Sequence, residues 1–320
     1  MKLRVVGGTD VLVSEVGLGA APLGNLGAPV DDETAGAVVD AAWQAGIRYF
    51  DTAPHYGVGL SESRLGDALR GRPRDEFTVS TKVGRLLVDD PDAPTSGEGF
   101  VDTPTRRRVR DYSADGVRRS LEASLDRLGL DRIDIVLIHD PDEHWAEAVG
   151  AAYPALAELR AQGVIGAIGV GMNQSAMPAR FVAETDLDCV MLAGRYTLLD
   201  RTGADLLDLC ARRGVSVLGA GVYNSGLLAN PRPGATYDYA PADADLLARA
   251  LRLREVCEAY DVPLRAAALG FVAAHPAVAT IVVGARSAAQ ITDTVALAAE
   301  RIPDELWEEP AILSGASGGT

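Results

Sequence analysis

Eight short apolar runs alternate with segments of helical periodicity along almost the whole chain, and this alternation constrains the fold more than any other feature. The runs are SEVGLG (14–19), GIRYF (46–50), EFTVST (76–81), IDIVLI (133–138), VIGAIGV (164–170), DCVMLA (188–193), VSVLGA (215–220) and ATIVVG (279–284). Between most of them lie stretches with apolar residues at helical spacing, such as 33–46, 61–71, 113–129, 145–163, 175–185, 204–214 and 287–300. Gly46, Gly71, Gly129, Gly163 and Gly214 fall at or just past the ends of these stretches, where a left-handed residue costs least. Alternation of this kind predicts a parallel sheet with crossover helices. Eight such units in 320 residues predict an α/β fold of the closed (β/α)8 TIM barrel type rather than an open doubly wound sheet.

Two connections break the rhythm. The stretches 84–112 and 222–245 are rich in Pro, Gly and Asp and follow the third and seventh runs. They are expected as long loops at the C-terminal face, forming walls or lids of a pocket. The opening RVVGGTDVLVSEVG alternates about a Gly-Gly-Thr-Asp turn, which predicts an N-terminal β-hairpin capping the closed end of the barrel. No linker interrupts the pattern, so residues 1–320 are expected to form a single domain.

The formal charge of −15 disfavours nucleic-acid and anionic-membrane partners, both of which want clustered Lys and Arg. The dense basic run Arg106, Arg107, Arg108 and Arg110 reads as a solvated loop or a weak anion site. Cys189, Cys210 and Cys257 are too few and too scattered for a disulfide frame, and no metal site is expected. With no leader-like segment at the N-terminus, the protein is expected to be cytoplasmic, as a monomer or small homo-oligomer. The most membrane-like stretch, 266–285, contains His275 and Pro276 and divides more naturally into a buried helix and a strand.

Four polar side chains sit just past the ends of the second, third and fourth runs: Asp51, Tyr56, Lys82 and His139. Strands buried on both faces rarely end in charge, and groups at their carboxyl ends face the mouth of a barrel, where such folds keep their chemistry. Neighbouring strands are close enough for these side chains to meet. An ammonium from Lys82 beside the Tyr56 phenol is expected to pull its pKa from about 10 toward neutrality. Asp51 would keep the ammonium charged, and His139 would offer a neutral imidazole. His55 reads either as a residue lining the substrate site or as packing beside it. His144 and Trp145, in DPDEHW, read either as pocket rim or as helix-start packing. G-x-G occurs in several places but never completes G-x-G-x-x-G, so no Rossmann fingerprint is present.

These residues stand in segments that resemble the aldo-keto reductase superfamily along nearly the whole chain: GIRYFDTAPHYGVGLSESRLGDAL around Asp51 and Tyr56, VSTKVG around Lys82, and LDRLGLDRIDIVLIHDPD around His139. The resemblance implies a barrel that binds a nicotinamide dinucleotide in extended form. It implies Tyr56 as general acid or base, Lys82 and Asp51 as its tuning pair, and His139 as a donor orienting the substrate. Asn173 matches the residue that holds the carboxamide, with a helix cap as its alternative. Tyr223, Asn224, Ser225, Gly226 and Leu227 fall in the segment resembling the pyrophosphate loop, and Gly284, Arg286 and Gln290 in the adenosine-end segment. Departures from the family pattern are Met172, Ala193 and Ala220 where Ser, Gln and an aromatic are usual. Gly284 and Gln290 stand where many members have a Lys and an Arg for a 2′-phosphate. With Arg286 as the single cation there, the cofactor is expected to be NAD or NADP, with NAD favoured.

Within the superfamily, HDPDEHWAEAVGAAYPALAELRAQGVIGAIGVGMNQ, VMLAGRYTLLD and GVYNSGLLA are similar to the subgroup of L-fucose, L-galactose and D-threo-aldose 1-dehydrogenases and pyridoxal 4-dehydrogenase. This implies oxidation of a sugar hemiacetal to a lactone. The alternatives are an NADPH-dependent aldehyde or ketone reductase, a pyridoxal 4-dehydrogenase, a Schiff-base aldolase using Lys82, and a non-catalytic cofactor-binding subunit. The partner in each catalytic case is a small molecule: a sugar, an aldehyde or a pyridoxal-like compound.

Overall fold

The computed structural model describes residues 1–238 and 240–314. Eight parallel strands close into a barrel in sequence order: β1 (Val16–Gly19), β2 (Tyr49–Asp51), β3 (Thr78–Val83), β4 (Ile135–His139), β5 (Ala167–Met172), β6 (Cys189–Ala193), β7 (Ser216–Ala220) and β8 (Val278–Gly284). All eight apolar runs supply one strand each. Because side chains alternate along a strand, the barrel has two cores. Phe50, Val79, Val136, Ile138, Val170 and Val190 point outward and bury against the helices. Tyr49, Ile135, Leu137, Cys189, Met191 and Leu218 fill the interior, and Val6 and Val13 join them from below. The latter two belong to the predicted hairpin, in which Leu3–Val5 pairs antiparallel with Leu12–Ser14. The interior is tight: a Cβ on Gly17 would lie 2.5 Å from the Tyr49 ring, so a glycine is what admits that aromatic.

The strand register sets the level of each functional side chain. Asp51 lies opposite Ser80, and Lys82, two residues further along β3, lies opposite Leu137. His139 is again two residues beyond Leu137. Each step of two keeps the side chain on the inward face and carries it toward the mouth, so a rising staircase of polar groups caps the apolar interior.

The two long connections are more ordered than their composition suggested. Within 84–112, Arg85–Asp89 pairs antiparallel with Arg106–Arg110 to form a ribbon. The arginine run is therefore a strand and not a solvated loop, because alternation turns Arg106 and Arg108 onto the barrel while Arg107 faces away. Within 222–245, a turn at Asn224–Gly226 and a short pairing of Thr236–Tyr237 with Ala240–Pro241 precede a helix, Ala244–Ala259, that begins inside the expected loop; residue 239 lies outside the described residues. Asp243 caps that helix by accepting from the Leu246 amide at 2.8 Å. The stretch 266–285 divides as expected, contributing to a helix Leu264–Ala273 and to β8. All three cysteines are buried and free. No described helix is long and apolar enough to cross a membrane.

Candidate active site

Asp51 and Lys82 are almost wholly buried, with side-chain exposures of 3% and 2%, and form the centre of the site. Lys82 Nζ donates to both Asp51 oxygens at 2.9 and 2.8 Å and to the Thr52 carbonyl at 2.9 Å. Burial works against the ammonium, but Asp51 and Tyr56 outweigh it and hold the Lys82 pKa above its ordinary value. A second chain of bonds approaches Asp51 from below. Ser80 Oγ donates to Asp51 Oδ1 at 2.7 Å and lies 2.8 Å from the Tyr49 hydroxyl. The carboxylate can only accept, so the Ser80 proton points to it and Tyr49 must donate to Ser80. Ser80 escaped the sequence reading although period 2 places it on the same face as Lys82.

Tyr56 reaches this pair from the loop after β2. That loop is held by a close backbone approach: Gly57 has φ 62°, and a Cβ there would lie 2.4 Å from the Gly24 carbonyl oxygen. Ser61 Oγ, in the helix Leu60–Leu69 that follows this loop, adds a bond to the Ala20 carbonyl at 2.7 Å, tying that helix start to the loop after β1. Lys82 Nζ then lies 4.5 Å from the centroid of the Tyr56 ring and acts on its hydroxyl. The expected fall of the Tyr56 pKa does not occur. Burial pushes the phenol up to about 12 against the pull of Lys82, with Asp51 adding to the rise. Desolvation of the phenolate exceeds what one ammonium, already shared with Asp51, returns.

His139 is buried with its ring 6.0 Å from that of Tyr56 at 89°, and Tyr112 donates to its backbone carbonyl at 2.6 Å. Burial first, then Arg85, Lys82 and His55, keep its pKa well below the ordinary value, so the imidazole is neutral. His55 stands beside it with ring centroids 5.6 Å apart, and burial with Arg85 and Arg108 drives its pKa down to about 2. Phe100, from the far end of the ribbon, stacks on Tyr56 at 6.1 Å and meets His55 edge-on at 5.3 Å. Arg108 donates to the His55 carbonyl at 3.1 Å, and Arg85 pairs with Asp140 at 2.7 Å. The sequence reading missed Phe100, Arg85 and Arg108. An isolated phenylalanine, one of five in the chain, within a Gly- and Asp-rich stretch was the available signal.

His144 and Trp145 are not brought to this cluster. His144 packs on Tyr112 at 5.1 Å and lies 3.3 Å from Glu147, and Trp145 meets Phe181 at 4.7 Å with Arg180 over its ring. Both side chains serve the helix start and the outer layer.

On the other side of the mouth, Asn173 follows β5 exposed and without a hydrogen bond among the described residues. It does not cap the next helix, where the neighbouring Gln174 accepts from the Met177 amide at 2.9 Å. The Tyr223 hydroxyl is surrounded by Arg265, Asp293 and Thr294 of the outer helices. Asn224 is buried at φ 46° and donates to the Gly194 carbonyl at 3.1 Å, stitching the loops after β6 and β7. The Gly226 and Leu227 amides are spent on Tyr223 and Asn224 carbonyls at 3.1 Å, and Leu227 is fully buried. The outer edge of this turn carries exposed Ser225 and open space over Gly226, where a Cβ would meet nothing within 4 Å. Gly284 ends β8 so close to Pro22 that a Cβ would lie 2.9 Å from it. The Arg286 guanidinium bonds the Leu26 carbonyl. Gln290 accepts from the Arg286 amide at 2.8 Å while its own amide meets Ser287 Oγ at 3.3 Å, a helix-capping arrangement. An amide donor and acceptor at Asn173, an uncrowded glycine turn and one guanidinium form a donor set that fits an extended dinucleotide along this rim.

The model of the aldo/keto reductase family matches residues 15–312. A D-threo-aldose 1-dehydrogenase from a Pseudomonas species is 46% identical over 307 residues, covering 93% of both chains. A pyridoxal 4-dehydrogenase from Microbacterium luteolum is 44% identical, covering 95% of both chains. Among solved structures, the aldo-keto reductase AKR11C1 from Bacillus halodurans in its holo form superposes with a TM-score of 0.79 at 29% identity, covering 99% of this chain and 96% of that one.

Proposed function

This chain belongs to the aldo/keto reductase family of oxidoreductases, which use nicotinamide cofactors, and on that premise we propose that it oxidises the anomeric carbon of an aldose hemiacetal to a lactone. The observation that carries the reading is the buried Tyr56, Lys82 and Asp51 set with neutral His139 at the barrel mouth. A nicotinamide cofactor held by the residues of the β5 to β8 rim would supply the hydride acceptor or donor. Tyr56 moves the proton at its hydroxyl. His139 holds the same substrate oxygen through a neutral ring nitrogen, and Lys82 lowers the cost of the phenolate while Asp51 fixes the ammonium. Phe100 covers Tyr56 and keeps bulk water from it. Asn173, the outer edge of the turn at Ser225–Leu227 and Arg286 serve the cofactor; Asn224 and Gln290 hold the backbone around it. One cation at the adenosine end supports NAD. The whole chain works as one domain.

The Tyr56 pKa of about 12 favours a second direction from the same site. Near neutral pH the phenol is protonated and suited to donate to a carbonyl oxygen, whereas accepting a proton needs the phenolate. The share of phenolate grows about tenfold per pH unit below the pKa. Aldose oxidation should therefore rise steadily with pH above neutrality while aldehyde reduction stays flat over the same range. Both are read by absorbance of the reduced nicotinamide with NAD and NADP against a panel of aldoses and pyridoxal. Tyr56→Phe should remove turnover in both directions and leave cofactor affinity within about twofold. An active Tyr56→Phe enzyme would overturn the assignment.

A further inference from the structure

The ribbon that closes over the tetrad carries polar groups that the proton and hydride chemistry does not use. Glu98, near its far end, sits at φ 51°, and its carboxylate stands between the His55 ring and the Arg108 guanidinium. His55 Nδ1 lies 3.5 Å from one oxygen, and an Arg108 guanidinium nitrogen lies 3.9 Å from the other. Neither contact is a direct hydrogen bond, and His55 Nδ1 and Arg108 Nε are buried without a partner among the described residues. Side-chain exposures are 13% for His55, 15% for Arg108 and 59% for Glu98, so a sheltered imidazole and a sheltered guanidinium flank an acceptor that is open to solvent. Buried donors left unmade are costly, and gaps slightly too long for a direct bond are what a hydroxyl or a water bridges.

The position of this set is as telling as its chemistry. The His55 ring is 6.0 Å from that of Tyr56 and 5.6 Å from that of His139, and Phe100 lies against both His55 and Tyr56. His55 thus stands one ring away from the catalytic phenol, within reach of a hydroxyl on a substrate whose reacting carbon lies at Tyr56.

We infer that Glu98, Arg108 and His55 form a hydroxyl-reading subsite that selects neutral polyhydroxylated hemiacetals and α-hydroxyaldehydes over hydroxyl-free aldehydes. A substrate hydroxyl donates to the Glu98 carboxylate and accepts from Arg108 or His55. Glu98 itself repels an acidic or phenolate-bearing substrate at the same place. This deepens the aldose reading and rests on it.

Glu98 makes no hydrogen bond to the rest of the described fold, so its substitution leaves the barrel intact. The test compares the unaltered enzyme with Glu98→Ala and Glu98→Gln, measuring reduction of glyceraldehyde and of propanal and oxidation of a neutral aldose. Glu98→Ala is expected to raise KM for glyceraldehyde and for the aldose about tenfold, with kcat within about twofold and propanal kinetics unchanged. Glu98→Gln recovers part of the loss because its amide oxygen still accepts. An unchanged KM ratio of glyceraldehyde to propanal in Glu98→Ala overturns the subsite, as does equal weakening of both substrates. Failure of the unaltered enzyme to oxidise any aldose would count against the dehydrogenase direction instead, since the reduction arm still reads the subsite.

Discussion

On the side of the mouth formed by β2, β3 and β4, every polar atom of Asp51 and Lys82 is spent on a partner within the chain. On the opposite side Asn173 stands exposed without such a partner, and Gly226 faces open space. The first arrangement is preorganised: its charges are already desolvated and oriented, so little has to rearrange when substrate arrives. The second is a rim that acquires its partners from what binds there. Substitutions on the two sides should therefore separate cleanly into those that change the chemical step and those that change cofactor affinity.

The largest effect is expected at Lys82. Lys82→Met should lower kcat by about a thousandfold or more in both directions, because neither phenol nor phenolate then has a cation to lean on. It also strands the buried Asp51 carboxylate, which typically costs about 3–5 kcal/mol of stability. Pairing Lys82→Met with Asp51→Asn should restore much of the melting temperature and none of the activity. Recovery of turnover in the double variant would show that the ion pair serves the fold alone.

A smaller loss, about tenfold in kcat, is expected for Ser80→Ala, which removes a donor from Asp51 Oδ1. Without that donor the carboxylate is more negative and raises the Tyr56 pKa further, so the rise of oxidation rate with pH should move to higher pH. Ser80→Thr, which keeps the hydroxyl, should restore the wild-type profile. A lower rate with an unmoved profile would reduce Ser80 to a packing residue.

These two sides also differ in how legible they are in the sequence. A buried parallel strand is apolar throughout, so Asp51, Lys82 and His139 stood out as violations of a local rule. The register then needed no more than period 2 to bring them together. What composition could not weigh was the balance of desolvation against charge at Tyr56: adjacency to Lys82 is visible in a strand order, whereas full burial under Phe100 depends on a ribbon whose path is set by tertiary contacts such as Arg108 to the His55 carbonyl. The arginine strand was misread for the same reason, since its alternation matters only once a partner strand exists. On the cofactor side, polar residues in loops have many possible occupations, and Asn224, Gln290 and Trp145 turned out to be engaged in backbone stitching, capping and outer packing.

Asn173→Ala probes the exposed rim. It should raise the cofactor dissociation constant about tenfold through loss of amide contacts, with kcat at saturating cofactor within about twofold of wild type. Fluorescence titration with NADH gives the first quantity and steady-state rates the second. A fall in kcat without a change in affinity would place Asn173 on the chemical side of the mouth and break the division between the two.

The smallest effect should come from Gln290, and it sharpens the comparison because this position was expected to touch the cofactor. Its side-chain oxygen accepts from the Arg286 amide at 2.8 Å, and Ser287 accepts from the Gln290 amide in return. Gln290→Ala removes the first of these bonds and leaves the second, a loss of about 0.5–1 kcal/mol. In a chain of this size that lowers the melting temperature by only about 2 °C. Affinity for NAD should not change beyond about twofold, whereas Arg286→Ala, which takes away the cation itself, should weaken NADP more than NAD. If Gln290→Ala instead weakened NAD as much as Asn173→Ala does, the side chain would have to leave its cap when the cofactor binds.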